Sequence, residues 1–204
     1  MAFTFFFRDT YTLEHAVKIL VPEVAGRSRI RVWDAGCAMG PEPYTLAILL
    51  AEAMGNFSFK NLQITATDID ETGTFGNIIY EAVYSREETE RIPDNIMEKY
   101  FERVEEKPDH KRVVNLIRER ITFQKHNLLS LNSVGDGFSL IVCKNVLLHF
   151  QPDERIGVIK MFHKSLAANG LFVSENTQKM PEELKNHFVQ VVSDAQLYRK
   201  LEVG

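Results

Sequence analysis

Disulfides are the first thing this chain lacks the means to build. Cys37 and Cys143 are its two cysteines in 204 residues, and a pair in a chain this long makes no disulfide framework, so the reducing cytoplasm is the expected compartment. Long apolar runs are missing too. A spanning helix needs roughly 18 to 20 apolar residues, and the opening Phe5-Phe6-Phe7 is cut off by Arg8 and Asp9, so neither signal peptide nor membrane insertion is expected. Basic residues are not in excess: 24 Lys+Arg stand against 28 Asp+Glu, a formal charge of −4. That balance argues against a general nucleic-acid binder, which needs a clustered surplus of Lys and Arg to meet phosphates. What is present, 45% hydrophobic and 25% charged residues, suits one packed globular domain and excludes disorder.

Strand and helix signals alternate along the chain. Arg31-Val32-Trp33 ends at Asp34 and is followed by the turn Gly36 to Gly40 and an apolar stretch from Pro43 to Met54, which reads as strand, glycine turn, helix. Strands are also expected over Leu62 to Thr67, Phe138 to Cys143 and Gly170 to Val173, and helices over Thr12 to Val24, Asp94 to Tyr100 and Asp153 to Ala167. This alternation predicts an α/β fold, Rossmann-like, with a mostly parallel sheet covered by helices on both faces. His187 to Val192 and Gln196 to Arg199 read as a closing antiparallel pair, with helix up to Val192 as the competing reading. The stretch 101–123 breaks the rhythm with a run of charges and then apolar-polar alternation. It is read as a small β insertion, against the alternative of a solvated charged loop.

The glycine turn falls where parallel sheets bind ligands, beyond the carboxyl ends of the strands. A Gly-x-x-x-Gly turn alone is a weak signal. Asp68 strengthens it, because a carboxylate ending the next strand can accept hydrogen bonds from both hydroxyls of a ribose. A dinucleotide would want a middle glycine and a pyrophosphate on the helix amides, yet Glu42 sits in the first helical turn, where it would repel a pyrophosphate and attract an ammonium. Electrostatics therefore favour S-adenosyl-L-methionine, with its ammonium and sulfonium, over NAD. The histidines show no metal-ligand spacing with either cysteine, and no metal is expected.

Six segments occur in one order: Thr4 to Asp9, Arg31-Val32-Trp33 with Gly36-Cys37-Ala38, Gly40 and Glu42-Pro43-Tyr44, Ala66 to Asp70, Asn127-Leu128-Leu129, Cys143 to Val146, and Ser174-Glu175-Asn176. Together they resemble the catalytic domain of the bacterial chemotaxis receptor glutamate O-methyltransferases, from Thr4 to about Lys200. The resemblance implies a methyltransferase domain over 1–204, with the family's small β-subdomain at about 101–123 and its N-terminal helical domain absent. It implies an enzyme that forms glutamate methyl esters on methyl-accepting chemotaxis receptors or related signalling proteins, with S-adenosyl-L-homocysteine as product. It places Thr4, Arg8, Gly36, Glu42, Asp68, Asn127, Leu128, Lys144 and Asn145 around the cofactor, with Arg8 also beside the methyl group.

This chain departs from the family pattern at four positions, the first being Ala2, where an Asn is common. Pro41 replaces the first of two usual glutamates, Lys144 stands where Arg is usual, and His149 replaces a tyrosine. His149 is read as a hydrogen-bond partner of the reacting carboxylate, against a base for an amine or thiol and against a structural or exposed side chain. Arg8 is read as orienting the incoming carboxylate, against a surface salt bridge with Asp9 or Glu14. These departures motivate an alternative of another class, a cofactor-binding regulatory module of the same fold with lost or altered transfer.

Overall fold

The computed structural model describes residues 4–177 and 179–202. In chain order its elements are α1 (Thr10–Val24), β1 (Ile30–Ala35), α2 (Pro41–Phe59), β2 (Leu62–Asp68), α3 (Phe75–Glu81), β3 (Val83–Ser85), α4 (Arg86–Thr89) and α5 (Asp94–Tyr100). They continue with β4 (Phe101–Arg103), β5 (His110–Val113), α6 (Asn115–Arg118), β6 (Ile121–Lys125), β7 (Phe138–Cys143), α7 (Pro152–Ser165), β8 (Leu166–Ser174), β9 (Phe188–Gln190) and β10 (Leu197–Lys200).

Seven strands form the main sheet in the order β6-β2-β1-β7-β8-β10-β9. The pairs from β6 through β8 are parallel, and β10 runs antiparallel to both β8 and β9. The α/β, Rossmann-like, mostly parallel fold read from the sequence is the one observed. The strand order reverses between β1 and β7, and a crevice beyond the carboxyl ends of strands at such a reversal is where ligands bind in this class.

Alternating side chains on the central strands serve two cores. Val32, Leu140 and Leu171 pack on the face carrying α1 and α2, while Trp33, Ile141 and Phe172 pack on the other with Phe162 of α7. Both faces being covered explains why β7 is buried at every residue. In α1 the buried positions Leu13, Ala16, Val17, Leu20 and Val24 recur at helical spacing, so one stripe meets the sheet.

The expected insertion at 101–123 is corrected in its bounds. A separate three-stranded sheet exists in the order β3-β5-β4, but its first strand, Val83–Ser85, lies well before residue 101. At the other end, Ile121 to Lys125 is the β6 edge strand of the main sheet, paired with β2 from Ile64↔Ile121 to Asp68↔Lys125. The alternation after Val113 is interrupted by the helical turn α6 rather than continuing as a strand. The helix expected over Asp153 to Ala167 stops at Ser165, because Leu166 is already in register opposite Phe138. The C-terminal antiparallel pair is present as β9 and β10, and α3 had no helical signal of its own in the sequence reading.

Candidate functional site

Residues 4–9 form a strap that crosses the carboxyl ends of the strands before α1 begins. Phe6 anchors it: the ring is fully buried and meets Tyr84 edge-on at 4.9 Å and Phe101 at 5.4 Å, both from the small-sheet region. The Phe7 amide donates to Thr45 Oγ1 at 3.0 Å. Phe7 and Asp9 both adopt positive φ, 56° and 47°, so the strap turns sharply on either side of Arg8. Of the three phenylalanines one is core, one is half-buried, and Phe5 faces a cavity.

That cavity, about 430 Å³, lies under the strap. The strap supplies Thr4, Phe5 and Arg8 to its wall, the glycine turn supplies Gly36, Cys37 and Ala38, and α2 supplies Glu42 and Thr45. Asp68 comes from the end of β2, and Lys144, Asn145, Val146, Leu148 and His149 come from the segment after β7. Its volume is in the range of small-molecule sites, and its place is the sheet's reversal point.

Two features shape the wall near the turn. The Asp68 carboxylate accepts from the Ala38 amide at 3.0 Å and from the Asp70 amide at 3.2 Å, one bond to each oxygen. A carboxylate has about four acceptor positions, so capacity for a diol remains. Gly36 has φ +101°, and a Cβ built there would lie far inside van der Waals contact with Val146 Cγ2. A side chain at position 36 would force Val146, itself part of the cavity wall, to move.

Lys144 is the buried cation of the site. Its Nζ donates to Arg8 O at 3.3 Å and Asp9 O at 3.1 Å, and pairs with Glu42 Oε2 at 3.4 Å. It therefore fastens the strap to the sheet as well as lining the cavity. Burial pushes the Glu42 carboxyl up, while Lys144 and Arg8 pull it down. Burial also raises the thiols of Cys37 and Cys143, which keeps both protonated at neutral pH. Arg8 Nε lies 3.6 Å from Asp9 Oδ2, so the bland salt bridge exists alongside its place in the cavity wall. His149 is exposed at the end of a 3-10 turn, and Asn145 sits at φ 59°.

Thr4, Arg8, Gly36, Glu42, Asp68, Lys144, Asn145 and His149 are thus brought to one cavity. Asn127 and Leu128 are not among its lining residues. The Asn127 side chain caps its own turn by accepting from the Leu129 amide at 2.9 Å, and Leu128 is buried in the Trp33 core. Both follow β6, whose register sets them just past Asp68. Sequence reasoning assigned no role to Thr45, Val146 or Leu148, which carry no group that announces a ligand. It also passed over Asp34, which is fully buried with neither carboxyl oxygen hydrogen-bonded among the described residues. Among those residues no cluster of three or more His, Cys, Asp or Glu could hold a metal ion, and no helix is long and apolar enough to cross a membrane.

The family described as CheR methyltransferase, SAM binding domain, matches residues 2–197. A chemotaxis protein methyltransferase of Listeria monocytogenes is 29% identical over 176 residues, 85% of this chain and 64% of that protein. Chemotaxis protein methyltransferase 2 of Pseudomonas aeruginosa is 28% identical over 177 residues, 86% of this chain and 62% of that protein. The chain thus spans just under two thirds of the length of these relatives. Among solved structures, PKMT2 from Rickettsia typhi aligns with 85% of this chain and 26% of its own at 18% identity and a TM-score of 0.48. With nearly its whole length matched, the chain belongs to the CheR methyltransferase family as its S-adenosylmethionine-binding domain.

Proposed function

We propose that this chain transfers a methyl group from S-adenosylmethionine to a glutamate carboxylate on a methyl-accepting chemotaxis receptor or a related signalling protein. The observation that carries the reading is one cavity in which Glu42 and Asp68 flank the glycine turn while Arg8 reaches in from the strap. The wall fits the cofactor: Asp68 retains acceptor capacity for a ribose, Glu42 suits an ammonium, and the bare Gly36 lets the wall residue Val146 sit against the turn where a Cβ would displace it. Thr4, Lys144 and Asn145 would complete the pocket, with Asn127 and Leu128 beyond Asp68. When bound, the cofactor supplies a methyl group already activated on a sulfonium.

The protein's own task is then alignment and exclusion of water. A glutamate nucleophile, with a reference pKa of about 4.3, is ionised at neutral pH and needs no general base. Arg8 would orient it through a planar guanidinium that grips two oxygens. Its ion pair with Asp9 is half in solvent, worth on the order of 1 kcal/mol or less, so a substrate carboxylate can replace it. His149, exposed at the cavity mouth, would donate a hydrogen bond to the same carboxylate.

The test is base-labile methyl incorporation into receptor cytoplasmic fragments, with S-adenosylhomocysteine affinity measured in parallel. Arg8→Ala is expected to abolish ester formation while most cofactor affinity survives. Full transfer by that variant would remove Arg8 from the mechanism.

A further inference from the structure

The roles above leave Asp34 without a task. It lies on β1 two residues before Gly36, fully buried, with both carboxyl oxygens lacking a hydrogen-bond partner among the described residues. Three groups of the cavity wall act on it: Glu42 of α2 and Asp68 of β2 with like charge, and Lys144 after β7 with opposite charge. The Cys37 and Cys143 thiols also feel it and stay neutral through burial, and Arg8 acts on the neighbouring Glu42 from the strap. A buried carboxylate with no hydrogen bond is costly, whereas the neutral acid is tolerable. Lys144 already pairs with Glu42, so an ionised Asp34 would have no ion-pair partner of its own among the described residues until a cation enters the cavity.

We propose that Asp34 is a specificity-determining residue that separates the cationic methyl donor from the neutral spent cofactor, being ionised in the first complex and protonated in the second. The inference rests on the function proposed above and adds a proton to it. The donor carries one net positive charge, from its ammonium and sulfonium against its carboxylate. Next to Glu42 that charge lowers the cost of ionising Asp34, whose O–H bond breaks with the electron pair kept on oxygen and the proton passing to solvent. Methyl transfer to a glutamate carboxylate removes the positive charge, and Asp34 takes a proton back from solvent. Proton release then strengthens donor binding as pH rises and leaves product binding unaffected, which favours discharge of the product.

Calorimetric titration of the protein with sinefungin, a stable cationic donor analogue, and with S-adenosylhomocysteine tests this across about pH 6 to pH 8. The preference for sinefungin is expected to grow by about three- to tenfold per pH unit in the wild type, tenfold being the limit for one linked proton, and to be flat in Asp34→Asn. A flat preference in the wild type overturns the proposal, and so does a slope that persists in the variant, which would assign the proton to Glu42. Absence of binding heat with both compounds in the wild type would overturn the cofactor reading itself, and this inference with it.

Infrared difference spectra of wild-type protein labelled with carbon-13 only at aspartate carboxyls need no variant and leave Glu42 silent. A protonated-carboxyl band is expected to vanish with sinefungin and persist with S-adenosylhomocysteine. A band that behaves alike with both compounds refutes the assignment.

Discussion

Asp34 also makes a prediction that involves no cofactor. In the unfolded chain its side chain is an ordinary carboxyl with a pKa of about 3.9. In the folded chain burial first, then the charges of Glu42 and Asp68, push it well above the usual carboxylate range against the pull of Lys144. A folded pKa above the unfolded one means that the native state holds the proton longer. The contribution to stability is therefore fully present below about pH 4 and is lost as pH rises toward the folded value, with a slope of up to about 1.4 kcal/mol per pH unit for one proton. Asp34→Asn has nothing to titrate. Between pH 5 and pH 7 the wild type should thus lose up to about 2.7 kcal/mol more than the variant, and the variant can become the more stable protein at the upper end. Among the described residues the carboxyl has no hydrogen bond to lose, and any constant cost of the unpaired amide shifts the variant's whole curve without changing its slope with pH. Glu42 is raised as well, but its share remains in both proteins and largely cancels in the difference. Urea unfolding followed through the fluorescence of Trp33, fully buried in the sheet, measures the two curves. Stability profiles of wild type and Asp34→Asn that run parallel over these two pH units would refute a neutral Asp34.

Substitutions at three further positions probe the wall. Lys144→Met removes two charge-assisted hydrogen bonds to strap carbonyls and the partner of Glu42; urea unfolding should show a loss of about 2 to 4 kcal/mol. Amide exchange over residues 4–9 should accelerate, with Lys144→Arg recovering most of both effects. Asp68→Ala should weaken S-adenosylhomocysteine binding by about 1 to 3 kcal/mol by calorimetry, the scale of leaving buried polar groups unpaired. Gly36→Ala combines a positive φ with a clash against Val146; thermal and urea unfolding should show about 2 to 5 kcal/mol of destabilisation, the sum of backbone strain and overpacking.

The fold was legible wherever an element carried its own period or its own punctuation. Phe138 to Cys143 is apolar throughout because both faces of β7 are covered, and the glycines at 36 and 40 mark the turn after β1. Legibility failed where pairing depended on distant residues. Ile121 to Lys125 looks the same whether its neighbour is a hairpin partner or the remote strand β2, and Val83–Ser85 is too short to show alternation at all. A three-residue strand exists because β5 is there to bond it.

The candidate site divides along the same line. Arg8, Glu42 and Asp68 could be picked out because each has a charge that the chemistry needs and a place beside a recognisable turn. The sequence marks Lys144 as a cofactor contact, yet its ammonium is spread over two strap carbonyls and Glu42, partners 102 to 136 positions away in the chain. Asp34 was read as the end of a strand because an aspartate before a glycine turn is ordinary in sequence. What makes it unusual is that neither carboxyl oxygen finds a hydrogen-bond partner among the described residues, which is a property of everything folded against β1. The charges that set the cavity's balance sit at 8, 34, 42, 68 and 144, each brought in by a different element or loop. A sequence states which charges exist, but only the sheet's order decides that Lys144 pairs with Glu42 while Asp34 is buried without a partner among the described residues.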